Sequence, residues 1–344
     1  MGTIRVYNRY VSEYINDLEK FKKSFPKLNK SSNSDTFQLI TREKREIQLK
    51  KPPGKNIILS TYFTSKPDPQ RQFRVKPSDF NFLKAWYLSV VKKSLKAVVF
   101  IDFHDNAFIN KYESENIKFI YCTLGNLSLN DERYFIFEEY LNYYIRDLTQ
   151  VCITDISDVI FNKDPFIFFK DRPWHTLFVG RNHTDKIMFS RINLERMSQL
   201  SDAYGLAYPG NFYIMPVYNA GIIGGDKWVV AYLLKKMCIY FREYGSDKNL
   251  NMLILNMVLY SYFCPNVSTN LFNKFFFRSR KSRKVVILIQ KIKMKLNNTT
   301  WNQASSVQHL NDICGNSKTI FTSYPLHNEF KSFYSDSREY ILHK

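Results

Sequence analysis

The chain has 344 residues, is 44% hydrophobic, and carries 50 Lys and Arg against 31 Asp and Glu, a formal net charge of +19. Its five cysteines are widely spaced without a CxxC pair, which disfavours a zinc site or disulfide framework and favours a reducing compartment. It has neither an apolar signal-peptide core nor a run of about 18 apolar residues, so the sequence predicts a cytoplasmic protein. The positive charge favours anionic partners, namely nucleic acid, anionic lipid or phosphorylated substrates.

The first fifty residues are polar and basic and are predicted to form an accessory arm outside the catalytic core. Residues 5–23 have the spacing of an amphipathic helix, and the Ser/Asn run at 31–35 resembles a linker.

From residue 56 onward, continuous apolar runs alternate with segments of helical spacing. Strands are predicted at 56–64, 97–102, 117–122 and 151–154, and helices at 78–95 and 132–149. This alternation indicates βαβ units and a mainly parallel sheet flanked by helices, where ligands bind beyond the carboxyl ends of the strands. Asp102, Asp155 and Asp158 all fall at predicted strand ends. Neither GxGxxG nor GxxxxGK[ST] is present, which disfavours dinucleotide-binding enzymes and P-loop ATPases.

After Phe161 the pattern is less regular. Short apolar pieces at 174–180 and 211–218 precede the glycine-rich segment 219–225, and helices are predicted near 227–243 and 248–263. We expect residues 51–268 to form the catalytic core.

The acidic turn after the fourth predicted strand contains Asp155 and Asp158. Hard cations such as Mn²⁺ and Mg²⁺ suit carboxylate and phosphate oxygens, so two carboxylates at a strand end predict a metal–diphosphate site. The alternative is a helix N-cap formed by Asp155 or Ser157.

The segment Val151 to Phe161, followed by Asp164-Pro165-Phe166, resembles the metal-binding segment of GT-A glycosyltransferases. It is most similar to a bacterial and viral group with a TDxxDVxF motif, and three further segments resemble that group in the same order: 64–71, 130–134 and 218–225. The resemblance covers roughly residues 55–265. It implies a GT-A, Rossmann-like fold with N- and C-terminal additions.

The resemblance also implies roles by position. Asp155 matches the first metal ligand, and Asp158 takes the second role although the usual spacing would fall on Ser157. The donor-binding residues implied in the core are Ser60, Thr61, Tyr62, Thr64, Arg71, Arg133, Thr154, Asn219, Gly221, Gly224 and Gly225. A plain tight turn explains Gly224 and Gly225 equally well.

The catalytic base is less defined, because amides occupy 249, 251 and 256 where related enzymes often carry an acidic residue. Asp247 and Asp226 are the candidates if the reaction inverts the sugar configuration. A retaining reaction would not need a base there.

Residues 269–299 form a basic amphipathic segment, with nine Lys or Arg and no acidic residue between 274 and 295. This pattern suits peripheral contact with the inner face of an anionic membrane, and equally a solvated basic face of the core. The tail 300–344 is expected to complete the active site. By the same resemblance, His327 is a candidate third metal ligand, with His309 as its rival, and Lys331 a candidate contact for the diphosphate.

The sequence therefore predicts a metal-dependent glycosyltransferase in polysaccharide or glycoconjugate synthesis. Its donor would be a nucleotide sugar, in the first instance a UDP-sugar, and its acceptor a glycan or glycolipid. The alternative is a non-catalytic binder of nucleic acid or anionic membrane on a degenerate fold, although no nucleic-acid motif supports it. A sugar-nucleotide pyrophosphorylase ranks third, because Pro67 and Pro69 stand where a Gly-rich basic loop would be needed.

Overall fold

A computed structural model describes residues 14–25, 37–40, 45–69, 72–170, 174–208, 212–245, 247–263, 321–323 and 341–343. The strands are β1 Phe37–Ile40, β2 Arg45–Gln48, β3 Asn56–Tyr62, β4 Ala97–Ile101, β5 Ile117–Tyr121, β6 Gln150–Thr154, β7 Val159–Phe161, β8 Leu177–Lys186, β9 Pro216–Asp226, β10 Phe321–Ser323 and β11 Ile341–His343. The helices are α1 at 14–24, α2 Phe80–Lys92, α3 Asn106–Tyr112, α4 Leu129–Tyr144, α5 Pro165–Lys170, α6 Arg191–Tyr204, α7 Lys227–Tyr244 and α8 Asn251–Val258.

The central sheet confirms the predicted α/β class. Six strands lie in the order β5-β4-β3-β6-β9-β8, and the short strands β10, β11 and β7 extend the sheet beyond β8. The first four run parallel to one another, whereas β9 is antiparallel to both β6 and β8. The chain moves outward from β3 through β4 to β5, and then returns to place β6 on the other side of β3. The carboxyl ends of β3 and β6 therefore flank the topological switch point, where open α/β sheets bind ligands.

Helices cover both faces of this sheet because its central strands are apolar on both sides. All five residues of β4 are buried, as expected for an interior parallel strand. On one face, α4, α7 and α8 pack over Ile57 and Leu59 of β3. On the other face, α2 and α3 pack over Ile58 and Tyr62.

The N-terminal segment is more closely joined to the core than an accessory arm would be. Leu18 and Phe21 of α1 are buried in the larger core cluster, and Phe21 makes an edge contact with Tyr232 of α7. Ile47 and Leu49, in and just after β2, are buried in the same cluster. The amphipathic spacing predicted this helix, whereas it did not indicate that its apolar face packs on the core.

The glycine-rich segment 219–225 lies inside β9 and is not a tight turn. A Cβ atom at Gly224 would collide with the ring of Phe169, so the missing side chain admits that ring against the sheet. Gly225 has a φ of +149°, and a Cβ atom there would lie 2.7 Å from the carbonyl oxygen of Thr176. These two glycines therefore serve the close packing of β9 with its neighbours.

Replacing Gly225 with alanine is expected to lower the free energy of unfolding by about 1–3 kcal/mol, because only glycine adopts this φ without strain. Urea unfolding would measure the change. Gly180→Ala is the matched control in β8, since its Cβ atom would sit 3.6 Å from Ile222 in ordinary contact. A destabilisation of Gly225→Ala no larger than that of the control would contradict this explanation.

Helices α3, α5 and α6 were not anticipated from the apolar spacing, and the two longer ones are α3 and α6. Both begin at a side-chain cap: Asp105 accepts from Phe108 N at 2.9 Å, and Ser190 accepts from Asn193 N at 3.5 Å. The predicted helix at 248–263 begins later, at Asn251, and after Val258 continues as a π-helical turn. Within the described part of the chain, no helix combines the length and hydrophobicity needed to cross a bilayer.

Candidate functional site

The carboxyl ends of β3 and β6 are tied together by buried hydrogen bonds. Ser60 donates from Oγ to the carbonyl oxygen of Thr154 at 2.7 Å. The Thr154 hydroxyl accepts from Nε1 of Trp86, on α2, at 2.9 Å. Ser60 and Thr154 are almost fully buried, so their polar atoms organise the switch point and do not face a ligand.

Asp155 follows directly and forms an ion pair with Arg133 of α4, through its Oδ1 atom. The Arg133 side chain is 6% exposed and the Asp155 side chain 28% exposed. Arg133 also donates to the Ala220 carbonyl oxygen at 3.2 Å and to the Tyr134 hydroxyl at 3.1 Å. Although burial opposes the charged form, the adjacent carboxylate raises the pKa of Arg133 above its ordinary value, so the guanidinium stays charged.

Arg133 was predicted to bind the phosphates or the sugar of the donor, and this stays a prediction. In the structure its guanidinium is enclosed and holds the Asp155 carboxylate, which is a positioning contact. The backbone of Asp155 is fixed as well, since its N–H donates to the Gly221 carbonyl oxygen at 2.8 Å. Asn219 Oδ1 in turn accepts from Gly221 N at 2.7 Å. Arg133, Asp155, Asn219 and Gly221 are thus brought together beside the switch point.

The first turn of α4 also anchors the start of α8. Asp131 is fully buried, and its carboxylate oxygens accept from Leu250 N at 3.0 and 3.2 Å. Burial raises the pKa of this carboxyl to about 7, although the hydrogen bond from Leu250 and the nearby Arg133 oppose the shift. Asp247 is exposed on the segment that leads into α8, three residues before Leu250. The structure therefore places Asp247 at the same end of the sheet as Asp155.

The loop after β3 is held by Asp102, at the end of β4. Its carboxylate accepts from the backbone N–H of Thr64 at 2.7 Å and of Ser65 at 2.9 Å. The hydroxyls of both residues donate to the same carboxylate, at 3.2 and 2.5 Å respectively. Asp102 and Thr64 are therefore occupied in shaping this loop. The strand-end position of Asp102 was visible in the sequence, whereas its partners were not.

Tyr62 points away from the switch point. Its hydroxyl donates to the Lys76 carbonyl oxygen at 2.5 Å and accepts from Asp79 N at 2.8 Å, which places it at the start of α2. Burial raises the pKa of Tyr62 to about 12. This tyrosine supports the helix. Thr61 is partly exposed on the opposite side of β3 and stays a candidate contact.

A buried ion cluster supports the loop after β5. Glu132, which is fully buried, accepts from Arg45 Nε at 2.5 Å and from Leu127 N at 2.7 Å. Lys66 lies 4.0 Å from the same carboxylate and donates to the carbonyl oxygens of Gly125 and Leu127. Sequence reasoning missed this cluster, because its members come from three distant segments.

The candidate metal ligands Asp155 and Asp158 are both partly exposed after β6. Among the described residues, no group of three or more His, Cys, Asp and Glu side chains is arranged to hold a metal ion. Two carboxylates fit a cation whose remaining ligands are phosphate oxygens and water. The backbone of β11 pairs with β7 directly after the acidic turn.

Other predicted residues are not brought to this place. Asp226 pairs with Gln150, the first residue of β6. It therefore lies at the amino end of β6, whereas Asp155 follows the carboxyl end. The Asp226 carboxylate caps α7 by accepting from Trp228 N at 2.9 Å, which explains why an acidic residue stands there. Gly224 and Gly225 pair with Cys152 and Val151, also away from the carboxyl end of β6.

Several predictions lie outside the described residues. These are Arg71, His309, His327, Lys331 and the basic amphipathic segment 269–299. Of the tail 300–344, only β10 and β11 are described, and β11 pairs with β7 directly after the acidic turn.

No protein-family model matches the chain, and no curated protein shows significant similarity to it. The α/β fold and the geometry of the switch point therefore provide the evidence on function.

Proposed function

We propose that the protein is a metal-dependent glycosyltransferase of the GT-A type. It would move a sugar from a nucleoside diphosphate sugar, first of all a UDP-sugar, to a glycan or lipid-linked glycan acceptor. The observation that carries the proposal is Asp155, a partly exposed carboxylate at the topological switch point whose backbone and side chain are both fixed by buried partners. The sequence resemblance around the same residue supports the same reading.

The charge balance of the turn favours a cation bound together with an anionic ligand. Asp155 and Asp158 contribute two negative charges, one of which is paired with Arg133. A bare divalent cation would find little net charge there, whereas a diphosphate would add several oxygen ligands and the missing charge. We assign Asp155 and Asp158 as ligands. The cation, Mn²⁺ or Mg²⁺, would stabilise charge on the departing diphosphate.

The other residues at the site would position the ligands and the reacting groups. Arg133 would hold the Asp155 carboxylate in one orientation, and Asn219 and Gly221 would form the wall next to it. Asp247 is the candidate base, because it is exposed and lies at the same end of the sheet as Asp155. Asp226 is set aside, because a base must reach the acceptor hydroxyl within hydrogen-bond distance.

The proposal predicts that UDP and Mn²⁺ together raise the melting temperature by on the order of 5 °C at saturating concentration. Each alone should raise it far less, because each supplies only part of the coordination. In Asp155→Asn the joint shift should disappear, while the amide oxygen can still accept from Arg133. Differential scanning fluorimetry with UDP, Mn²⁺ and both would measure this.

Asp202→Asn, an exposed carboxyl on α6, is the control and should keep the full shift. Asp226→Asn should also keep it, because asparagine caps helices as well as aspartate does. Absence of any UDP response in the wild type, together with salt-sensitive binding of RNA, would overturn the proposal in favour of a non-catalytic binder.

A further inference from the structure

A basic groove lies between α2 and β7, and none of the residues assigned above lines it. Lys84, Lys92 and Lys93 line one wall, and Lys163, just after β7, lines the other. The groove is open to solvent along one side and has a volume of about 650 Å³. It can therefore hold more than a single ion.

The two walls are held together by a buried contact. Ser89 of α2 accepts from Phe161 N of β7 at 3.1 Å through its hydroxyl oxygen. Trp86, on the buried side of α2, donates to Thr154 and so fixes the same helix to the end of β6. Each wall of the groove is therefore formed in part by a helix or strand that is fixed to the core.

The charge of the groove has one sign. Among the described residues that line it, four are lysines and none is acidic. Lys92 and Lys93 stand at the carboxyl end of α2, where positive charge also complements the helix dipole. That explanation does not cover Lys84, two turns earlier, or Lys163, on a different element. The three lysines of α2 repel one another, so an anion held beside them would be stabilised.

An apolar side chain interrupts the basic stripe. Lys84, Leu88 and Lys92 are spaced four residues apart and share one face of α2. Leu88 is 51% exposed within that stripe, and the groove also includes Ile160. A free phosphate ion has no apolar part that could contact Leu88. A lipid headgroup does, because lysines pair with its phosphate while an apolar side chain reaches the acyl boundary.

We propose that this groove binds the phosphate headgroup of an anionic phospholipid, and so seats the protein on a membrane surface. The inference does not depend on sugar transfer, because it rests only on α2, β7 and the two residues that follow β7. It would place the acidic turn, which leads directly into β7, close to lipid-linked molecules.

The test measures binding of the full chain to vesicles of phosphatidylcholine with 30% phosphatidylglycerol, by sedimentation, at roughly 0.1 M salt. Replacing Lys84, Lys92 and Lys93 with glutamine should weaken binding by on the order of 100-fold, since each lysine near the surface contributes about fivefold. The matched control replaces Lys23, Lys51 and Lys55, which are equally exposed and remove the same charge outside the groove. The control should lose less than about tenfold.

A second readout tests the apolar contact without changing the charge. In Leu88→Trp, the added indole fluorescence should shift to shorter wavelength when anionic vesicles are added. Ile239→Trp, at a 43% exposed position on α7, should show no such shift. Equal losses in the two lysine variants, or a Leu88→Trp signal unmoved by vesicles, would overturn the proposal. So would inorganic pyrophosphate that binds the groove lysines and prevents vesicle binding at micromolar concentration, because the ligand would then be a soluble phosphate.

Discussion

Asp155→Ala is expected to lower the free energy of unfolding by about 3–5 kcal/mol in the absence of any ligand. The substitution leaves the Arg133 guanidinium, whose side chain is only 6% exposed, without its carboxylate. The Nε atom of Arg133 is already buried without a hydrogen-bond partner, so the charge has little alternative support. Urea unfolding of the two ligand-free proteins would measure the difference.

The double variant Asp155→Ala with Arg133→Met separates the buried charge from the lost carboxylate. It should recover roughly 2 kcal/mol relative to Asp155→Ala, because methionine has no charge to leave unpaired. The Ala220 carbonyl oxygen keeps a donor in this variant, since the Tyr134 hydroxyl donates to it at 3.2 Å. If the double variant were less stable than Asp155→Ala, the ion pair would not be the source of the effect.

This expectation also decides how the ligand site must be probed. An alanine at 155 that fails to respond to UDP and Mn²⁺ would confuse lost binding with a weakened fold. Asp155→Asn keeps an oxygen for Arg133, so its unfolding in the absence of ligand can be compared directly with its ligand response. The same residue then supplies two independent measurements, one of stability and one of binding.

The parallel part of the sheet could be predicted because its strands carry an unambiguous pattern. Runs such as 97–101 are apolar throughout, and alternating helices leave one arrangement that buries them on both faces. The positions of Asp102 and Asp155 at strand ends followed from the same pattern. The strand β9 could not be predicted in this way, because its glycines resemble a turn and their reason lies in Phe169 and Thr176, which belong to other elements.

In the candidate site too, the sequence predicts what depends on neighbouring residues, and it does not predict what depends on residues that are distant in the chain. Asp226 is only five residues from Gly221 in the sequence. Because β9 is antiparallel to β6, these five residues place Asp226 beside the amino end of β6. Likewise, Arg133 lies close to the candidate site, as predicted. Only its contacts with Asp155 and with Ala220 of β9 show that the guanidinium is enclosed. Spacing along the chain identifies which residues have suitable chemistry, whereas strand direction decides which of them meet.

Asp131 is expected to make the protein less stable as the pH rises from about 4 to about 7. Burial raises the pKa of its carboxyl from the ordinary value of 3.8 to about 7 in the folded state. The folded protein therefore binds a proton in this range that the unfolded chain has already released. The stabilisation is complete below pH 4 and is lost as the pH passes through 7, with a slope of up to about 1.4 kcal/mol per pH unit.

Asp131→Asn should remove this slope, because its amide oxygen accepts from Leu250 N without titrating. Urea unfolding between pH 4.5 and 8 gives the difference between wild type and variant, in which the histidine contributions cancel. The exposed Asp202→Asn variant should retain the wild-type slope. A difference curve that is flat, or that rises with pH, would mean that the Leu250 hydrogen bonds outweigh burial. Since Asp131 and Arg133 share one turn, such a result would also change the charge expected around Asp155.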